Sequence, residues 1–278
     1  VFNLGNMLVV AAIEVSGMGI AFLIGLGMAL IVSVMWNYIL LENGNLWMIL
    51  GGCIIVLVSV ILAAVAHGMM EAVRRKSAAA LAASLAPPEE LTKAAIPGAR
   101  KKRAEEESGP GAMLGVWLAL SGGLVLGCFY PLMGMSMEGE LGFSNPFSVA
   151  LIVSIGMLVS SLIYNLYFMN LPVKGLPISF FAYFTGSLGQ HGLGLLGGMI
   201  WMAGACANFS AAAAQGEAKL GTAIVYTLGY GSALISLIWG VFVWKEFANA
   251  TSGISRLLST AAILFASGLA VVVLGLHP

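Results

Sequence analysis

The chain has 278 residues, of which 60% are hydrophobic and 9% charged, and its mean hydropathy is +0.99. A soluble globule of this size would lack the polar side chains to cover its surface, so the composition describes an integral membrane protein. Twelve Lys and Arg balance twelve acids, every one of them Glu; a basic nucleic-acid binder is excluded, no Asp exists for a metal cage or an aspartyl active site, and no cofactor is expected.

Apolar runs of about 20 residues mark transmembrane helices. Eight follow one another, at 1–17, 19–41, 46–70, 113–137, 146–171, 192–214, 222–244 and 258–276. The ten-residue alternation of a membrane β-barrel is absent. The expected fold is all-α, a polytopic membrane helix bundle. Only the first span contains a formal charge, Glu14. Small residues recur at helical spacing at Gly17, Ala21 and Gly25, and again at Gly194 and Gly198, a pattern that lets helix backbones approach closely. Cys53, Cys128 and Cys206 each lie inside an apolar run, as small hydrophobes rather than a disulfide or zinc set.

Residues 71–112 change composition to Ala, Pro, Glu, Lys and Arg, which predicts a polar linker without packed structure. Eight of the twelve basic residues lie there. If this linker is cytoplasmic, alternation of the loops puts Lys174, Lys245 and Arg256 on the same side and leaves Lys219 as the only basic residue outside. That distribution obeys the positive-inside rule for a plasma or bacterial inner membrane. The outer loops then carry Glu42, Glu138, Glu140 and Glu217.

An internal repeat cuts across these spans. Residues 27–36 read GMALIVSVMW and residues 231–239 read GSALISLIW, while Asn6 and Asn208, Gly19 and Gly221, and Ala21 and Ala223 each stand 202 positions apart. The first span thus corresponds to the sixth. An offset of five spans is odd, so the two copies have opposite topology, the construction of many secondary transporters. Residues 1–70 read as the last three spans of a first repeat, and 113–278 as a complete second repeat of five. The eight visible spans imply ten, with two upstream of residue 1.

Several strings resemble the ureide permease branch of the drug/metabolite transporter superfamily. They are LGNM at 4–7, VMWNYIL at 34–40, GGCIIVLVSVILAAVAH at 51–67, FYPL at 129–132, NLPVKGLPISFFAY at 170–183 and IWGVFVWKEF at 238–247. The resemblance covers nearly the whole chain outside the linker and implies ten helices in two inverted five-helix halves. It further implies secondary transport of N-heterocycles such as allantoin or uracil, with protons as the coupling ion. A sugar porter or a drug/metabolite exporter of the same superfamily is the alternative. The phosphate-loop-like motif described for the linker of plant ureide permeases is missing, since 71–112 contains no GxxxxGK[ST].

A small neutral substrate crossing hydrocarbon needs polar groups facing an inner cavity, because unpaired polar groups in lipid are costly. Asn6 and Asn208, at repeat-equivalent positions, each offer two donors and an acceptor to an amide or urea edge; an interhelical hydrogen bond is the other role open to them. Tyr226 and Tyr230 share one helical face and could stack a flat ring, as could Tyr130 before Pro131 at a kink of the fourth span. Asn165 is a further candidate liner. Glu14 and Glu217, at the ends of the repeat-equivalent spans, are the proton-coupling candidates. Trp36, Trp239 and Trp244 read as belt anchors, and His67, His191 and His277 as interfacial. Ser232 in YGSA has no helical His to activate it, so no enzyme activity is expected.

Overall fold

A computed structural model describes residues 1–41, 44–85, 112–137, 145–216 and 220–277. Among them the chain forms ten α-helices and one 3₁₀ segment. In order these are α1 (Phe2–Ser16), α2 (Met18–Leu41), α3 (Leu46–Leu85), α4 (Ala112–Gly127), α5 (Phe129–Met137), α6 (Pro146–Asn170), the 3₁₀ turn Phe180–Thr185, α7 (Leu188–Ala212), α8 (Thr222–Gly229), α9 (Ser232–Phe242) and α10 (Ser252–Leu276). Among the described residues seven helical segments are long and apolar enough to cross a membrane, counting α4–α5 and α8–α9 as one each; α1 is apolar but shorter, at 15 residues. The protein is a polytopic membrane helix bundle.

Two of the apolar runs break. Pro131 has no N–H to give and its ring crowds the carbonyl four residues back, that of Gly127, where α4 ends. The second break, unforeseen in the sequence, is between α8 and α9. There Tyr230 N–H donates to Thr227 O and Gly231 N–H to Leu228 O, three-residue closures that tighten the helix around two glycines.

The linker begins later than its composition suggested. Helix α3 continues through Glu71, Arg74 and Arg75 to Leu85, because the stretch after residue 76 is rich in Ala, the strongest helix former. His67 is therefore not at a helix end, and its side chain is buried in the bundle. The remainder of the linker, 86–111, lies outside the described residues.

Helix α2 is the centre of the bundle. Ile20, Leu23, Ile24, Ala29 and Leu30 are fully buried between α1, α3, α4 and α9. Two antiparallel seams flank it, each built on a glycine notch. A Cβ on Gly52 of α3 would stand 2.6 Å from Val272 Cγ2 and 2.9 Å from Gly268 O of α10, and one on Gly268 would stand 2.7 Å from Val56 Cγ2 and 3.0 Å from Gly52 O. The α1–α4 seam repeats the device: a Cβ on Gly5 would meet Leu126 Cγ at 2.7 Å, and one on Gly122 would meet Val9 Cγ2 at 2.9 Å. Backbone contact of this kind replaces the hydrophobic drive that helices lack in lipid. The Ser59 hydroxyl adds a buried 2.7 Å hydrogen bond to Ala261 O across α3–α10.

Of the two small-residue patterns noted in the sequence, Gly25 does admit a neighbour, with Ala119 O 3.3 Å from its would-be Cβ. Gly194 and Gly198 do not, since nothing lies within 4 Å of either; α7 presents that face outward, as α6 and α7 do over most of their length.

Each end of the bundle is tied. At one end the α1–α2 turn at Gly17, the segment after α9 and the polar end of α3 meet. The Glu246 carboxylate accepts from the N–H of Met18 (2.6 Å) and Gly19 (3.0 Å), and Arg74 donates to Glu246 O (2.7 Å) while pairing with Glu71 (2.9 Å). At the other end Asn45 N–H donates to Gly275 O (2.7 Å), joining the loop after α2 to the end of α10. These closures group loops by parity, as alternate crossing requires.

Candidate binding site

The two broken helices bring the candidate tyrosines together. Tyr130, just past the α4–α5 break, stacks on Tyr226 of α8 with ring centroids 4.3 Å apart and an interplanar angle of 16°. Tyr230, in the α8–α9 break, meets Tyr130 edge-on at 5.5 Å and 81°. Phe209 of α7 stands edge-on to Tyr226, completing an aromatic box. Both Tyr226 and Tyr230 are buried, and the Tyr230 hydroxyl is beside Ser33 of α2.

Asn208 reaches the same place from α7. Its Nδ2 donates to Val225 O at 3.4 Å, which fixes the orientation of the amide. The other atom, Oδ1, is buried and has no hydrogen-bond partner among the described residues. A buried acceptor left empty is uncommon enough to need a reason. Gly229 makes room for the cluster: a Cβ there would press to 3.3 Å from the Tyr130 hydroxyl and 3.4 Å from Asn208 Nδ2. A donor group on a flat molecule could satisfy Oδ1 while its ring lay against a tyrosine face.

The remaining candidates are elsewhere. Asn165 is exposed on α6, and Glu14 is exposed two residues before the end of α1. Glu217 is outside the described residues. Asn6 is half-buried on α1, and the polar bridge from that helix is made by Asn3 instead, whose Nδ2 donates to Ser160 Oγ (3.0 Å) and Ser161 Oγ (3.1 Å) of α6. Trp239 and Trp244 are exposed and Trp36 is half-buried. His191 is not in a loop but in the first turn of α7, its Nδ1 3.0 Å from Ser187 O. The Ser232 hydroxyl donates to Gly229 O at 2.9 Å.

Gly17 (φ 86°) and Gly221 (φ 84°) are the left-handed glycines immediately before α2 and α8, a conformation that L side chains rarely adopt. In local backbone conformation Gly17, and not Gly19, resembles Gly221. Asn208 stands four residues before the end of α7 at Ala212, and Asn6 ten before the end of α1 at Ser16. At 1.5 Å per residue the two amides differ by about 9 Å in distance from the ends of their helices; Asn208 joins the tyrosine cluster beside Val225 and Gly229.

Glu246 is the residue that sequence reasoning passed over. It sat in the string WKEF, but its role depends on Gly17, Gly19 and Gly240, whose missing side chains leave the cradle for its carboxylate; a Cβ on Gly240 would be 2.6 Å from Oε2. No family model matches the chain, and neither does any curated protein or solved structure.

Proposed function

We propose that this chain is a secondary transmembrane transporter of small neutral polar solutes, with flat N-heterocycles such as allantoin or uracil as the substrate class. The observation that carries the reading is the empty acceptor of Asn208 beside the Tyr130–Tyr226 stack, where two interrupted helices face each other. Discontinuous helices are where transporters of the inverted-repeat kind bind substrate, because a broken helix frees polar groups without exposing them to lipid. A planar ring would take one tyrosine face from its present partner while its N–H donates to Asn208 Oδ1. The two repeats would then rock about this point to give alternating access. Arg74, Lys245 and Arg256 belong to segments near one end, which supports a cytoplasmic position for that end and for the 71–112 linker under the positive-inside rule.

The test is uptake of labelled allantoin, uracil and glucose by cells expressing the full chain, with and without a protonophore. Heterocycle uptake that falls at least tenfold in Asn208→Ala and Tyr130→Ala supports the reading, and protonophore sensitivity adds proton coupling. Glucose uptake alone moves the protein to sugar transport. Absence of uptake by a well-expressed chain overturns the proposal.

A further inference from the structure

Helices α9 and α10 leave a cavity between them, about 390 Å³ and separate from the tyrosine cluster, since none of Tyr130, Asn208, Tyr226 or Tyr230 lines it. That volume falls in the range of small-molecule sites, about 300–1,000 Å³. Its lining is graded. Lys245 and Ser255 stand at the end of the bundle where Glu246 and Arg74 meet, Ser259 is one turn further along α10, and the depth is apolar, with Val241, Leu258 and Ala262. From Ser255 to Ala262 the groove follows α10 for about 10 Å at 1.5 Å per residue.

The cation at the mouth is unspent. The adjacent Glu246 carboxylate faces away, onto the N–H groups of Met18 and Gly19, and Lys245 makes no ion pair with a described residue. Its backbone is held at φ 52° by closure of the α9 end, where Glu246 N–H donates to Gly240 O at 3.0 Å. Among the described residues Arg256, at the fifth position of α10, bonds its own helix, through Nε to Ser252 O. A single anchored charge at the mouth of a largely apolar groove matches one ligand chemistry: an anionic headgroup carrying a hydrocarbon tail.

We propose that this groove is a binding site for an anionic phospholipid of the adjacent leaflet, its phosphate on Lys245 and part of one acyl chain between α9 and α10. The site is separate from the transport reading and stands or falls without it.

Native mass spectrometry of the full chain in mild detergent, titrated with dioleoyl phosphatidylglycerol or dioleoyl phosphatidylcholine, tests it. One phosphatidylglycerol should be retained at a concentration at least threefold below that needed for phosphatidylcholine. Lys245→Glu should abolish that preference, and Ala262→Phe, which fills the depth of the groove, should lower retention of both lipids. Circular dichroism on both variants checks the fold, and Lys245→Glu, at an exposed position, keeps the test valid if Ala262→Phe misfolds. Equal retention of the two lipids by the unaltered chain, or an unchanged preference in Lys245→Glu, overturns the proposal. So does a dimer that Ala262→Phe dissociates, because the occupant is then a second copy of this chain.

Discussion

The Glu246 carboxylate accepts a 2.6 Å hydrogen bond from the backbone N–H of Met18, so a residue beyond α9 caps a helix that begins 228 positions earlier. The first N–H groups of a helix have no partner within it, and a carboxylate there also meets the positive end of the helix dipole. Replacing Glu246 with Ala should lower stability by about 1–2 kcal/mol, and Gln, which keeps one acceptor, should lose less. The midpoint of thermal unfolding in detergent measures both. Equal midpoints for Glu246→Ala and the unaltered chain would show that the cap contributes nothing.

Adjacent glycines on α3 give a matched comparison. Gly51 has nothing within 4 Å of a would-be Cβ, whereas Gly52 faces Val272 at 2.6 Å. Gly51→Ala should be neutral or stabilise by up to about 1 kcal/mol through helix propensity. Gly52→Ala should destabilise by about 1–3 kcal/mol through overpacking. Denaturant titration in micelles reads both, and identical effects would mean that the seam yields to a methyl group without cost.

Under the proposed function, Gly229→Ala should impair transport without removing any polar group, because the added methyl presses on the Tyr130 hydroxyl and Asn208 Nδ2. We expect a rise in KM for the transported solute of at least threefold with expression unchanged. An unaltered KM would place the substrate away from this cluster.

Asn3→Ala should cost about 1 kcal/mol, in the range measured for hydrogen bonds between membrane helices, since it cuts α1 from Ser160 and Ser161 of α6. Asn6→Ala should cost less. The reverse order in unfolding experiments would return the polar bridge to Asn6.

Hydropathy alone located the seven helical segments long enough to cross, because the bilayer demands long apolar runs and little else resembles them; the first of the eight runs forms only the 15-residue α1. The Pro131 kink was legible for a covalent reason, the missing N–H. The α8–α9 break was not, since Gly229 and Gly231 are common in membrane helices and only their spacing around Tyr230 distinguishes them. Composition misjudged the start of the linker because charge suggested disorder where alanine favoured helix. In the site, Tyr130, Tyr226, Tyr230 and Asn208 could be proposed one by one, but that they meet depends on the approach of α4–α5 to α8, which no local pattern encodes. Glu246 and Asn3 escaped for the same reason: each acts on a partner more than 150 positions away.

The glycine notches also set where motion can occur. A branched side chain lodged against bare backbone works as a detent: sliding α10 along α3 by one residue would drive Val272 out of its recess and into the main chain. The α1–α4 seam is held in register by the same means. Axial slip is thus barred in the four helices flanking α2, and no such detent locks the outward face of α7, where Gly194, Gly197, Gly198 and Gly204 touch nothing within 4 Å. Any motion that opens the tyrosine cluster would then pivot about these seams rather than slide along them.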